Sequence, residues 1–235
     1  MKKITIAIDG HSSTGKSTAA KELAKALNYI YVDTGAMYRA MTYFALKNGF
    51  FENDVLNETR LIQSLDDVDL SFEYDQSKEK SIILLNGENV ENFIRQMDVA
   101  NKVSYVAKIP EVRHKLVKIQ QKIGEKGGLV MDGRDIGSVV FPEAELKIFM
   151  TATANERAKR RFNELKGSSS DLNFDEVLAN VQERDLIDSS RETSPLIQTD
   201  DAVKLDNTNL TKEEQADVLL KLAMKQIRLR KLNML

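Results

Sequence analysis

The chain has 235 residues, with 34 Lys and Arg against 36 Asp and Glu, a net charge of −2, and no cysteine. The lack of cysteine excludes disulfides and thiolate metal sites and fits a reducing compartment, and the balanced charge supplies no general pull toward nucleic acid. No run of about 18 apolar residues is present to form a membrane-spanning helix, and a strand is expected within four residues of the N-terminus, which leaves no room for a signal peptide; a cytoplasmic protein is expected.

Ile4–Ile8 is a β-branched run of the kind that forms a buried parallel strand. It leads into Gly10-His11-Ser12-Ser13-Thr14-Gly15-Lys16-Ser17-Thr18, which fits the phosphate-binding pattern G-x-x-x-x-G-K-[ST]. Ala19–Leu27 then reads as a helix with Leu23 and Leu27 on one face. Strand, glycine loop and helix are the context this chemistry needs. The glycines let backbone N–H groups converge on phosphate oxygens, and the helix N-terminus adds partial positive charge. In this arrangement Lys16 is expected to reach the β- and γ-phosphates of a nucleotide and the Ser17 hydroxyl to ligate Mg²⁺. The plainer alternative is a glycine turn that only joins a strand to a helix.

Residues 28–32 read as a second strand, and Ala36–Asn48 as a helix closed by Gly49. At the start of that helix, Asp33-Thr34-Gly35-Ala36-Met37-Tyr38-Arg39 gathers a hydroxyl, an aromatic ring and an arginine where anions are favoured. Arg39 can grip a phosphate through two donors, and Tyr38 can pack on a base or ribose.

The texture changes over residues 52–97. Val55–Leu65 reads as a surface helix, Val68–Tyr74 and Ser81–Leu85 as strands joined by a polar turn at Asp75–Lys80, and Asn86-Gly87 as a turn before a short strand at Asn89-Val90. The pattern is that of an inserted antiparallel subdomain. Helices are expected at Val99–Ala107 and Glu111–Lys122, interrupted at Ile109-Pro110.

Leu129–Met131 and Lys147–Met150 read as buried strands. The first is followed by Asp132-Gly133-Arg134-Asp135: an Asp placed there can hold Mg²⁺ or its waters, Arg134 can face a phosphate, and Asp135 can accept from an amino group of a base. Thr153 is expected to cap a charged helix over 155–166 that contains Arg157, Lys159, Arg160 and Arg161, ahead of a flexible Gly167–Ser170 link. With Arg184 and Arg191, these arginines suit a mobile cover that brings positive charge onto phosphoryl oxygens. Asn173 is expected to cap a helix over 175–185, Asp188–Pro195 reads as a loop, Ala202–Asp206 as a last strand, and Thr211 with Glu214 as the capping box of a final helix. End-to-end alternation of strand and helix predicts an α/β fold: a P-loop core with a parallel sheet and helices on both faces, an inserted antiparallel subdomain and a short lid.

Together these motifs resemble the bacterial cytidylate kinases, a family of nucleoside monophosphate kinases. The resemblance rests on 8–18, 33–39, 99–107, Val112-Arg113, Asp132–Pro142 and Glu183-Arg184-Asp185…Asp188…Arg191, in the family's order. It implies transfer of a phosphoryl group from ATP to CMP or dCMP, with Mg²⁺. It implies that Ser104, Arg113 and Asp135 read the cytosine edge, that Arg184 and Asp188 hold the sugar, and that Arg39, Arg134 and Arg191 hold the acceptor phosphate, with Thr34 and Tyr38 in the same pocket. Lys16, Arg134, Arg157, Arg161 and Arg191 would stabilise the transferred phosphoryl group, and Ser17 with Asp132, directly or through water, would hold the metal. The implied partition is a core at about 1–34, 98–154 and 197–235, a monophosphate-binding region at about 35–97 and a lid at about 155–196, in a monomer without nucleic-acid or membrane partners. Two departures stand out: His11-Ser12-Ser13 where the family has Pro or a small residue after the first loop glycine, and Ser138 where Thr is common. A kinase of the same fold with another acceptor, and a nucleotide-sensing P-loop switch, are the rival readings; no guanine-reading Asn-Lys-x-Asp is present to favour the switch.

Overall fold

The computed structural model describes residues 3–75, 80–166 and 173–232. The first apolar run forms β1 (Thr5–Gly10). Ile4, Ile6 and Ile8 alternate onto one face and enter a core with Ala19, Ala20, Leu23 and Ala24. Those alanines and Leu23 belong to α1 (Lys16–Leu27), which ends at Asn28 in the left-handed conformation, its N–H donating to the carbonyls of Ala24 and Lys25. Because Asn28 is used as that cap, β2 (Ile30–Asp33) begins two residues later than the composition suggests.

The chain divides into two compact units, one of residues 1–32 and 126–235, the other of residues 33–125. The second unit opens with α2 (Thr34–Lys47), whose N-cap is Asp33: its carboxylate accepts from Ala36 N. The helix expected over 55–65 is only partly formed. Asn53 and Asp54 both take positive φ, 47° and 63°, and turn the chain into a two-residue hairpin. It joins β3 (Phe51–Glu52) to β4 (Val55–Leu56), and only then does α3 (Glu58–Gln63) begin, capped by Asn57. A three-stranded antiparallel sheet follows, made of β5 (Leu70–Asp75), β6 (Lys80–Leu85) and β7 (Glu88–Asn89). Leu70 faces Leu85 and Phe72 faces Ile83 across the first pair. Asn86 and Gly87, both at positive φ, make the turn into β7. The apolar face of this sheet packs with Met37, Met41, Leu61, Ile94, Val106 and Leu116, all fully buried. The last two come from α4 (Met97–Ala107) and α5 (Pro110–Gly124), and Pro110 is the first residue of α5, where its missing N–H costs nothing. Residues 76–79 of the expected Asp75–Lys80 turn lie outside the described residues.

The first unit resumes with β8 (Leu129–Gly133) and β9 (Leu146–Thr151), both paired parallel to β1. After them come α6 (Ala154–Leu165), capped by the Thr153 hydroxyl, and α7 (Phe174–Ser190), capped by Asn173. The expected Gly167–Ser170 link between them lies outside the described residues. α7 runs five residues past its expected end and takes in Asp188, which had read as loop; Asp188 is drawn into the helix by its tertiary ion pair with Arg134. β10 (Val203–Asp206) pairs parallel to β9, and α8 (Lys212–Leu232) begins at the reciprocal Thr211–Glu214 capping box. The parallel sheet therefore has the order β10-β9-β1-β8-β2 and is flanked by helices, with α1 and the Leu219 and Ala223 face of α8 closing the core over Ile148, Met150 and Leu205.

Asp9, at the end of β1, is buried, and its two carboxylate oxygens accept from Ile136 N at 2.8 Å and Gly137 N at 2.7 Å. These bonds fix the single wide turn at Ile136–Val140. Burial pushes the Asp9 carboxyl up from 3.8 to about 6, against the lowering effect of those two N–H groups. Between those values the folded chain keeps a proton that the unfolded chain has lost, so this group's contribution to stability falls as pH rises from 3.8 to about 6 and is constant above. Urea denaturation of Asp9→Asn is expected to gain on the wild type by about 3 kcal/mol between pH 3.5 and pH 7; a difference independent of pH contradicts this reading.

Candidate active site

Gly10 leaves the sheet with φ 145°, and a Cβ there would lie 2.0 Å from the carbonyl oxygen of Met150 in β9. Only glycine can make that departure. Gly15, with φ 83°, turns the loop into α1. Between them Ser12 and Thr14 are buried and Ser13 takes φ 58°. Lys16 is buried as well: its Nζ donates to His11 O at 2.5 Å and Thr14 Oγ1 at 3.3 Å. Burial, and then the Arg134 guanidinium, drive the Lys16 ammonium well below its usual pKa, while Asp132, Asp9 and Asp188 oppose the shift. Such a buried cation is poised to gain strongly from an arriving anion.

Beside the loop, Ser17 Oγ donates to Asp132 Oδ2 at 2.9 Å, and Tyr31 OH to Asp132 Oδ1 at 2.9 Å. A buried carboxylate and a hydroxyl at this spacing are the hard oxygen donors that suit Mg²⁺. Among the described residues no group of three or more His, Asp or Glu side chains is placed to hold a metal, so a cation here would complete its shell with phosphate oxygens and water. Thr18 is exposed on the first turn of α1.

A second cluster in the same unit is built from β8 and α7. Arg134 Nε donates to Asp188 Oδ2 at 2.7 Å, and Arg191 Nη1 lies 3.8 Å from Asp188 Oδ1. Burial alone would raise the Asp188 carboxyl, yet Arg134 first, then Arg191 and Arg184, hold it below its ordinary value. The structure thus gathers three of the predicted arginines around the fourth predicted residue, Asp188: Arg134 and Arg191 in ion pairs and Arg184 close enough for its charge to act. Asp135 is buried at the end of β8.

The arginines of α6 divide. Arg161 is partly exposed and donates to Glu164. Arg157 is buried behind the loop, donating to Ala152 O, to Ser12 O and, through two nitrogens, to Asp185. Arg160 donates to Thr14 O at 3.3 Å and to Asn207 O at 2.9 Å. Asn207 donates in turn to Thr14 O at 2.7 Å and to Gln215. Asn207, Gln215, Tyr31 and Asp185 carry no role in the sequence analysis. A signal existed for Asn207, since it is the first residue past the carboxyl end of β10, where open parallel sheets place their ligands.

In the other unit, Arg39 Nη2 donates to Asp33 Oδ2 at 2.9 Å, reaching back six residues along α2 to the cap. A Cβ on Gly35 would meet Arg39 Nη1 at 2.9 Å, so the glycine is what admits this fold-back. Burial would raise the Asp33 carboxyl, but Arg39 and Arg95 keep it below its usual value. Thr34, Tyr38, Ser104 and Arg113 are all buried. The Arg113 guanidinium lies 5.3 Å from the centre of the Tyr38 ring and donates to Ala107 O at 2.9 Å. A guanidinium at 1 % exposure, stacked on a ring, is a rigid donor aimed by its surroundings.

The cytidylate kinase family matches residues 6–225. The chain is similar to the cytidylate kinases of Flavobacterium psychrophilum, at 55 % identity over 94 % of this chain and 98 % of that one, and of Flavobacterium johnsoniae, at 56 % over 94 % and 96 %. The cytidylate kinase of Parabacteroides distasonis is 55 % identical over 94 % and 96 %. A glycine loop closed over a buried lysine, a hydroxyl–carboxylate pair beside it and a family match over nearly the whole length lead to one assignment: the chain belongs to the cytidylate kinase family.

Proposed function

We propose that the protein transfers the γ-phosphoryl group of ATP to CMP and dCMP, giving ADP with CDP or dCDP. The observation that carries this is the pairing of a desolvated Lys16 in the loop with arginines gathered on carboxylates. The acceptor is a phosphate, whose attacking oxygen is already anionic, so the reaction needs charge neutralisation and alignment and no general base. Residues Gly10, His11, Ser12, Ser13, Thr14, Gly15, Lys16, Ser17 and Thr18 cradle the donor phosphates, and Lys16 follows the transferred group. Arg134 and Arg191 exchange Asp188 for phosphoryl oxygens, and Arg161 approaches from α6; Arg157, expected beside them, supports the loop from its outer side in this reading.

On the acceptor, Ser104, Arg113 and Asp135 take the cytosine edge, where an amino group sits beside ring acceptors; a carboxylate with a guanidinium matches that pattern and leaves other bases with unpaired buried groups. Arg184 and Asp188 take the sugar, and Arg39, Arg134 and Arg191 the phosphate, with Thr34 and Tyr38 lining the same pocket. Ser17 and Asp132 hold Mg²⁺, directly or through water, and the ion neutralises charge on the donor phosphates. The functional partition we propose is a core at about 1–34, 98–154 and 197–235, an acceptor region at about 35–97 and a lid at about 155–196. We further propose a cytoplasmic monomer whose partners are ATP, CMP and dCMP, with no nucleic-acid or membrane partner. The balanced charge supports the first exclusion; among the described residues no helix is long and apolar enough to cross a membrane.

ADP release should be fast with CMP and dCMP, and at least about tenfold slower with UMP, AMP, GMP or no acceptor. Turnover that ignores CMP points instead to a nucleotide hydrolase or switch. Lys16→Met is expected to lower kcat by about 1,000-fold, the scale of removing one charge-stabilising donor. Arg113→Ala should cut kcat/KM for CMP by about 100-fold and narrow its preference over UMP, measured as the ratio of kcat/KM for the two acceptors.

A further inference from the structure

Three of the loop's carbonyls are held by side chains, two of them by groups from outside the loop. His11 O accepts from Lys16, Ser12 O from Arg157 Nη1 at 3.3 Å, and Thr14 O from Arg160 and Asn207. In a planar trans peptide the carbonyl of one residue and the N–H of the next point in opposite directions. Fixing Ser12 O therefore aims Ser13 N–H away from Arg157.

Arg157 itself is fixed by one residue. Its Nη1 and Nη2 donate to the two oxygens of Asp185, at 2.8 Å and 2.5 Å, while Nε donates to Ala152 O at 3.0 Å. Four of its five N–H groups are thereby committed, and its side chain is only 4 % exposed. A guanidinium so engaged has no fork to offer a phosphoryl group. The same Asp185 oxygen that meets Nη1 lies 3.2 Å from His11 Nδ1, and the imidazole stands edge-on to Phe149. Although burial would raise it, the close His11 imidazole and the bonds from Arg157 bring the Asp185 carboxyl down to about 2.

We propose that Asp185 is a positioning residue for the donor site: through Arg157 it orients the Ser12–Ser13 peptide, and through His11 it anchors the residue after the first loop glycine. This rests on the reading that the loop binds the donor phosphates. It also gives His11, the departure from the family pattern, a task. When donor phosphates draw Lys16 off His11 O, the link from the imidazole to Asp185 still holds that residue in place. Arg157 acts from behind the loop in this scheme and does not contact the transferred group.

The test is calorimetric titration of the full chain with ADP, and separately with CMP, together with thermal midpoints. Asp185→Asn should weaken ADP by about tenfold, and His11→Ala by about threefold, with CMP affinity unchanged within about twofold; Asp185→Glu should recover most of the ADP affinity. Because Asp185→Asn leaves Arg157 as a buried unpaired charge, the deciding variant is the double substitution Arg157→Met/Asp185→Leu, which removes both charges and keeps the volume. A pair that only stabilises the fold predicts normal ADP binding in that variant; the proposal predicts the same tenfold loss. Wild-type ADP affinity in the double variant, or equal losses for ADP and CMP, overturns it. Wild-type protein that binds ADP yet phosphorylates neither CMP nor dCMP would overturn the acceptor reading alone, and the ADP titration would still decide the role of Asp185.

Discussion

The structure of the first unit depends on one close approach. Gly10 lies against the backbone of Met150 so tightly that a Cβ would fall 2.0 Å from its carbonyl oxygen. That contact lets β1 stay paired with β9 to its last residue, since Gly10 is itself in register with Met150. The loop then departs from a fixed point rather than from a frayed strand end. One residue earlier, the Asp9 carboxylate ties the same strand end to the turn after β8. The loop and the Asp132–Asp135 segment are thus referenced to a common strand, which is what a site assembled from two neighbouring strand ends requires.

Electrostatics in this unit is arranged to be incomplete without an anion. Lys16 is buried near the Arg134 guanidinium, and its charge is unfavourable there despite Asp132, Asp9 and Asp188. Arg134 and Arg191 share one carboxylate, Asp188. Asp9 answers part of the surplus only when ionised, and burial works against that ionisation. Under the proposed function the donor polyphosphate would supply that negative charge, and Lys16 would gain most where the phosphates concentrate it. Removing a single carboxylate would have the opposite effect, leaving a buried guanidinium without a counter-charge, which is among the most destabilising changes a core can suffer.

Local signals made much of this legible in the sequence. The loop, its strand and its helix are contiguous, so the pattern of residues 4–27 carries their structure whole. Caps behaved in the same way: Thr153, Asn173 and the Thr211–Glu214 box each act within four residues. The errors came where local preference was weak. Val55 and Leu56 carry a helical-looking pattern, but the Asn53-Asp54 turn commits them to a hairpin two residues long. Asp188 reads as loop among serines and becomes helix through Arg134, 54 residues away in the chain. The network of Asn207, Gln215 and Arg160 behind Thr14 O had no sequence signature beyond the place of Asn207 just past β10, because each member is ordinary and only their meeting is informative.

The same distinction separates the parts of the site. Backbone N–H groups that cradle phosphate must come from a rigid short-range motif, since they have to converge within ångströms, and motifs of that kind are visible in any sequence that has them. The groups that hold the motif from outside need only a matching donor and enough burial to make the bond count. Arg157 on Ser12 O and Asn207 on Thr14 O meet that need from distant segments and through different chemistry. A substitution inside the loop, such as His11, can therefore be tolerated when an outer group such as Asp185 is placed to meet it. Departures from a family's loop pattern are best interpreted together with the side chains packed behind the loop.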